Sequence, residues 1–171
     1  MKIKIIITVL VLIILLLGGM CAFLLMEKEE ETPLAPDIAP SYTDKYSEPM
    51  DEDNDNEKLE HPDGGGAASI AFTKTATIDL SKEQASVMFG NPSRSEQDMM
   101  VQIVIQDVII AQSGLITPGN KISKLDLLPD ASERLDTGLY LGSYIVLFYN
   151  RETGEREVVS TEIPINIFVN R

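Results

Sequence analysis

Residues 139–169, LYLGSYIVLFYNRETGEREVVSTEIPINIFV, decide the fold class because they hold two long strand patterns joined by a short turn. Strands are predicted over residues 139–149 and 157–169, which are rich in β-branched and aromatic residues. The turn at residues 150–154 ends in Gly154, which can take the left-handed conformation of a bulged hairpin loop. These residues therefore predict a pair of antiparallel strands.

The second of these predicted strands alternates between the two faces of a sheet. Its apolar face carries Val159, Thr161, Ile163, Ile165, Ile167 and Val169. A period of two is typical of a strand with one buried face. Because Pro164 lies within this strand and has no amide N–H, one side of the strand is predicted to be a sheet edge.

Five further strand patterns precede this pair and are separated by Gly, Pro, Asn and Asp residues. They cover residues 69–80, 85–89, 99–106, 108–112 and 121–127. Before the last of them, Pro118 and Gly119 have the order that a type II turn requires, since proline presets φ and glycine accepts a positive φ. About seven strands and few helix signals predict an all-β, antiparallel sandwich.

Residues 136–142, DTGLYLG, resemble the Asp-x-Gly-x-Tyr-x-Cys motif that opens strand F of immunoglobulin domains. The resemblance rests on Asp136, Gly138 and Tyr140, and it covers about the last hundred residues. It implies an immunoglobulin-like sandwich in which the Tyr140 phenol hydrogen-bonds to backbone upstream. The chain departs from the family at Gly142, which stands in place of the second cysteine, and it has neither the first cysteine nor a tryptophan.

Residues 5–26 form an unbroken apolar stretch near the N-terminus. About 22 residues at 1.5 Å per residue are enough to cross a hydrocarbon core of roughly 30 Å. Two lysines precede the stretch and acids follow it, so residues 1–26 are predicted to be an uncleaved signal anchor with the N-terminus in the cytoplasm and the C-terminus outside. A cleavable signal peptide is the alternative, and residues 18–21 resemble a lipoprotein cleavage box ending at Cys21.

Residues 27–66 contain fourteen acids and three lysines, a local charge of −11. They also contain five prolines and few aliphatic residues. This composition predicts a disordered acidic stalk between the membrane and a folded domain at residues 67–171. The alternating acids of residues 51–57 resemble part of a calcium-binding loop but lack its glycine and its last glutamate. A solvated run of charge is the other interpretation of these acids.

Charge and cysteine content exclude several classes of function. The formal net charge is −13 and no basic stripe is present, so neither nucleic acid nor anionic lipid is an expected partner. The one cysteine lies in the apolar stretch, and the one histidine, His61, lies in the predicted stalk. We therefore expect no disulfide, catalytic site, cofactor or metal site in the domain.

One predicted strand, residues 139–149, is apolar on both faces. If Tyr140 points into the core, every second residue from Leu141 onward points away from it. The outward-facing candidates are Leu141, Ile145, Leu147 and Tyr149, extended by Met100 and Val104 if their strand is the neighbour. An exposed apolar face predicts a protein-binding surface. A chain segment that covers it, or the opposite parity, would remove this prediction.

Together these features predict a membrane-anchored, extracytoplasmic display module that binds another protein at a bacterial cell surface. One alternative is a glycan-binding module, although only Tyr149 among the tyrosines of its strand is predicted to face outward as a stacking platform. A second alternative is a structural subunit of a surface or secretion assembly, in which the apolar face is permanently covered.

Overall fold

The computed structural model describes residues 34–51 and 70–171, which belong to one compact unit. None of these residues is helical, so the described part of the chain offers no helix that could cross a membrane. The predicted anchor at residues 5–26, with Cys21, lies outside the described residues. The same is true of His61 and of all the predicted calcium-loop acids except Asp51.

The described residues form nine β-strands. They are β1 (Ser47–Pro49), β2 (Ala71–Phe72), β3 (Thr75–Asp79), β4 (Gln84–Asn91), β5 (Gln97–Ile105), β6 (Val108–Gln112), β7 (Asn120–Asp126), β8 (Gly138–Asn150) and β9 (Arg156–Asn170). The predicted all-β class is confirmed, and each of the seven predicted strands is present.

Two differences from the prediction concern strand number. The predicted strand at residues 69–80 is divided into β2 and β3, because the chain from Phe72 to Thr77 contains two residues more than the facing stretch of β4 from Phe89 to Ser86. At this break the chain begins to pair with β9 as well, and the Asn166 amide donates to the Lys74 carbonyl oxygen at 2.9 Å. β1 was not predicted at all.

All nine strands belong to one continuous sheet that curls into a half-barrel, whereas the prediction was a sandwich of separate sheets. The order of strands along the sheet is β1, β7, β4, β3, β9, β8, β5 and β6, and β2 also pairs with β4. Every pairing is antiparallel except that of β3 with β9, which is parallel. Ala111 of β6 bridges to Leu127, just after β7, so β6 approaches the opposite side of the curled sheet.

The hydrophobic core lies inside the curl. Its largest fully buried side chains include Ile78, Phe89, Ile103, Ile122, Leu125, Tyr144 and Ile167. The rings of Phe89 and Tyr144 meet edge to face with centroids 5.8 Å apart, a favourable arrangement for aromatic pairs. Burial raises the pKa of the Tyr144 phenol, and the Thr73 side chain beside it offsets this only in part.

The domain boundary differs from the predicted one, because residues 34–51 of the predicted stalk are packed on the sheet. We call these residues the N-terminal strap. β1 lies within the strap and pairs with β7 from Ser47↔Ile122 to Pro49↔Asn120. Backbone hydrogen bonds between the strap and the sheet replace hydrogen bonds to water, and apolar side chains of the strap pack on the sheet. The strap is therefore ordered although its composition is polar and rich in proline.

Candidate protein-binding surfaces

The side chains of β8 alternate as the sequence predicts. Tyr144, Val146 and Phe148 point into the main core, and Tyr140 packs against it. Leu139, Leu141, Ser143, Ile145, Leu147 and Tyr149 therefore lie on the outer face of the sheet. β8 pairs with β5 on one side and with β9 on the other, so the outer face continues across three strands.

The strap covers one end of this outer face. Met100 and Tyr149 are fully buried and Leu147 is 6% exposed, and all three belong to a second apolar cluster beneath Ala35, Ala39 and Leu115. Three of the six predicted binding residues are thus inaccessible. The prediction is wrong for them because a segment that was assigned to the stalk lies over them.

Polar contacts hold the strap in this position. The Tyr149 hydroxyl donates to the Pro36 carbonyl oxygen at 2.9 Å, and burial raises the pKa of this phenol. The Arg156 guanidinium donates to the Ala35 carbonyl oxygen at 2.7 Å and to the Asp37 carboxylate at 2.9 Å. These contacts leave Tyr149 unable to serve as a stacking platform, which removes the feature that supported glycan binding.

The far end of the strap is held by a nearly buried carboxylate. Asp44 accepts hydrogen bonds from the Tyr46 amide at 2.8 Å and from the Gly114 amide at 2.7 Å. The Asp44 amide in turn donates to the Leu115 carbonyl oxygen. A Cβ added to Gly114 would lie 2.9 Å from the Asp44 backbone, so the close approach of the strap requires glycine there.

A charged cluster continues this attachment. Lys45 forms an ion pair with Asp126, and the Tyr46 hydroxyl donates to the same carboxylate at 2.7 Å. The hydrogen bond with Asp126 raises the pKa of both Lys45 and Tyr46. Burial tends to raise the pKa of Asp126, but the hydrogen bonds from Lys45, Tyr46 and Gln84 outweigh it and lower the pKa. These side chains pair with one another and join the strap to β4 and β7, which indicates a structural role.

The other end of the outer face is open, and we call it the open face. It consists of Val104, Leu139, Leu141, Ile145 and Phe168. Leu141 is 80% exposed, Leu139 is 63% exposed, and Phe168 pairs directly with Leu139 across β8 and β9. Val104 and Ile145 are half-buried beside them. Of the predicted binding residues, Val104, Leu141 and Ile145 therefore remain accessible.

Leu139 and Phe168 were not predicted as members of this surface. Leu139 lies two residues before Leu141 and therefore on the same outer face of β8. The alternation that identified Leu141 could also have identified Leu139. Phe168 is the apolar residue on an otherwise polar face of β9. An apolar residue at such a position can indicate a binding surface, and this could have been recognised from the sequence.

A second exposed feature lies on β9. The register between β8 and β9 shifts between Leu147 and Tyr149, where three residues of β9, 157–159, lie opposite one residue of β8, Phe148. This bulge exposes Val158 completely and Val159 by 70%. The prediction placed Val159 on the buried face, and it is wrong there because the bulge lifts this part of β9 away from the core.

The residues that the sequence assigned structural roles lie in turns and at the start of β8. The Tyr140 hydroxyl donates to the Asp136 carbonyl oxygen at 3.1 Å, which is the backbone contact that the resemblance implies. At the turn after Pro118, Gly119 has a φ of 81°, and Gly154 in the hairpin loop has a φ of 72°. Gly138, with a φ of 157°, begins β8.

In residues 34–51 and 70–171, no three Asp, Glu, His or Cys side chains lie close enough together to bind a metal ion. Asp98, near the start of β5, is a carboxylate whose side chain is only 14% exposed. Burial raises its pKa, and Arg151, whose Nε lies 3.5 Å from the carboxylate, opposes this shift only in part.

Comparisons with known proteins add little to this geometry. No family model matches the chain, and no curated protein matches it. Among solved structures, the chain is similar to AggA, the major subunit of aggregative adherence fimbriae type I of Escherichia coli. The identity is 14%, covering 65% of this chain and 99% of AggA, with a TM-score of 0.28. An identity and a TM-score this low support no conclusion about function.

Proposed function

We propose that this chain is a membrane-anchored module that binds another protein through the open face. The half-barrel would be immunoglobulin-like, an assignment supported by the contact between Tyr140 and Asp136. Residues 5–26 would hold the domain at the outer face of a bacterial cell membrane, with the N-terminus in the cytoplasm. Tethering raises the effective concentration of the domain, so a modest affinity would be sufficient.

The observation that supports this proposal most directly is the cluster of Leu139, Leu141 and Phe168. Single exposed apolar residues are common on soluble proteins, but these three are neighbours in the register of two paired strands. The half-buried Val104 and Ile145 extend the cluster towards β5. Burying this cluster against a partner would remove apolar surface from water, which is the main favourable contribution to protein association.

The test uses the full chain in its native membrane, with a photo-crosslinking amino acid in place of Leu141. We expect one dominant protein adduct, which a second substitution, Leu139→Asp, abolishes without changing the thermal stability. Leu34 is the matched control position because it is 51% exposed but lies outside the open face. Adducts that are the same at Leu34 and Leu141, or that survive Leu139→Asp, would contradict the proposal. An adduct with a second copy of the chain would favour the assembly-subunit alternative.

A further inference from the structure

The outer edge of β9 is covered at both ends and open in the middle. At its start, the Arg156 amide donates to the Asp37 carbonyl oxygen, and the Ala39 amide donates to the Gly154 carbonyl oxygen. At its end, β3 pairs with β9 from Asn166 onward. Among the described residues, no strand pairs with this edge between residues 157 and 165, which we call the β9 edge.

The direction of the backbone groups along the β9 edge follows from one observed hydrogen bond. The Asn166 amide points away from β8, because it donates to Lys74 on the side of β3. Pairing with β8 is regular from Ser160 to Asn166, so every second residue directs its backbone groups to the same side. Ser160 and Glu162 therefore present both N–H and C=O groups at the β9 edge, and Pro164 presents its C=O group alone.

The position of Pro164 limits unspecific pairing of the β9 edge with other strands. A proline at an outward-directed position loses no hydrogen bond to β8 and removes one donor from the edge. Unspecific strand pairing is further discouraged by the charge of Glu162. The donors and acceptors of Ser160 and Glu162 nevertheless remain available to an extended chain.

The surroundings of the β9 edge define the chemistry of such a chain. Val158 and Val159 are exposed beside it, and an open groove of about 640 Å³ runs between Ile38 and Val158. Glu155, Glu157 and Glu162 supply negative charge, and the cation between the first two, Arg156, is paired with Asp37. A second nearby cation, Arg151, is paired with Asp98. A second copy of this chain would bring the same glutamates to the same edge, and like charges oppose that pairing.

We infer that the β9 edge binds an extended segment of another protein by strand addition, and that this segment alternates aliphatic with Lys or Arg side chains. Backbone hydrogen bonds to Ser160 and Glu162 would supply the pairing, and the valines and glutamates would supply the selectivity. This inference does not rest on the proposed function, because the β9 edge and the open face can be disabled separately.

The test is amide hydrogen exchange of the full chain in detergent micelles, with and without a short peptide in which valine alternates with lysine. We expect the amides of Ser160 and Glu162 to exchange rapidly in the free protein and to become protected when the peptide is added. A peptide of the same sequence with N-methylated backbone amides keeps charge and apolar content but cannot pair, so it should give no protection. A valine–glutamate peptide should also give none.

Two variants separate the contributions to this binding. Ser160→Pro removes an outward N–H without affecting a hydrogen bond to β8, and we expect at least about tenfold weaker peptide binding. Glu162→Gln keeps the backbone and removes one charge, so we expect about threefold weaker binding. Leu141→Asp, on the open face, should leave peptide binding unchanged.

Several outcomes would overturn the inference. One is protection of Ser160 and Glu162 already present in the free protein, which would mean that the chain covers its own edge. Protection that grows with protein concentration alone would mean self-pairing. Equal protection by the N-methylated peptide, or peptide binding without protection at these two amides, would exclude strand addition.

Discussion

The phenol of Tyr149 donates a 2.9 Å hydrogen bond to the backbone carbonyl oxygen of Pro36, a residue 113 positions earlier in the chain. This bond joins the N-terminal strap to the outer face of β8. The strap buries Met100 and Leu147 on this face, whereas Leu141 is 80% exposed. Among the described residues, the open face is therefore the part of the outer face that the strap does not cover.

The first prediction concerns this hydrogen bond. Tyr149→Phe keeps the buried ring but leaves the Pro36 carbonyl oxygen without its donor, so the free energy of unfolding should fall by about 1 kcal/mol. Denaturant unfolding of the full chain measures this loss. The Ala39 amide, which donates to Gly154, should exchange faster in the variant, while amides in the middle of β5 should not. Unchanged exchange at Ala39 would show that the bond does not hold the strap.

The second prediction compares two leucines on the same strand and the same face. Leu147 is 6% exposed beneath the strap, so Leu147→Asp would bury a charge without a partner and should cost at least about 3 kcal/mol of stability. Leu141 is 80% exposed, so Leu141→Asp should change stability by no more than about 0.5 kcal/mol. Thermal unfolding of the two full-length variants provides the comparison. Similar losses for both would contradict the division of this face into covered and open parts.

The sequence predicts that both leucines lie on the outer face, because strand residues alternate between the two faces. It does not predict that one of them is covered and the other exposed. Strand alternation and turn chemistry are local, which is why β8, β9, Gly119 and Gly154 could be predicted. The strap is different, because its residues are polar and proline-rich and its pairing is long-range, as in Glu48 with Lys121. Composition describes what a segment could bury alone, whereas backbone pairing depends on a neighbour far away in the chain.

The continuous sheet and the bulge in β9 have the same explanation. A regular alternation from Val159 to Val169 predicts one buried face, but a register shift near Val159 depends on how β8 and β9 fit together. The parallel pairing of β3 with β9 is likewise fixed by the whole fold and has no local signal. Of the candidate site, the sequence therefore indicated the strand and the face but not the part that remains accessible.

The third prediction concerns Gly142, a residue of β8 that lies close to the backbone of β5. A Cβ on Gly142 would lie 2.6 Å from the Val104 carbonyl oxygen and 2.5 Å from the end of the Ile167 side chain. The side chain could move, but the backbone of β5 could not without breaking its pairing. Gly142→Ala should therefore reduce the free energy of unfolding by about 2 kcal/mol or more.

Gly90 provides the matched control for this substitution. A Cβ on Gly90 would meet the flexible sulfur end of Met50 at 3.0 Å and otherwise ordinary contacts. Gly90→Ala should cost less than about 1 kcal/mol, measured by denaturant unfolding under the same conditions. Equal costs at the two glycines would mean that close approach of β5 and β8 is not what excludes a side chain at residue 142.

The fourth prediction concerns acid sensitivity at the turn between β3 and β4. Lys82 donates to the Asp79 carboxylate at 2.6 Å and the Ser81 hydroxyl does so at 2.6 Å, and these bonds lower the pKa of Asp79 from 3.8 to about 2. Because the folded-state pKa is below the unfolded-state value, the stabilising effect is complete above about pH 4 and is lost as pH falls towards 2. A carboxyl titration followed by NMR should give a midpoint near 2 for Asp79.

Lys82→Met tests the cause of that shift. It removes the largest contribution and leaves the Ser81 hydrogen bond, so the Asp79 midpoint should rise towards the ordinary value without reaching it. Lys124→Met removes a lysine from β7, two strands away from β3 in the sheet, and should leave the midpoint where it is. Because Asp79 is at the surface, added salt should also raise the midpoint in the unsubstituted chain. A midpoint that does not respond to Lys82→Met would assign the shift to the backbone and hydroxyl donors of the turn instead.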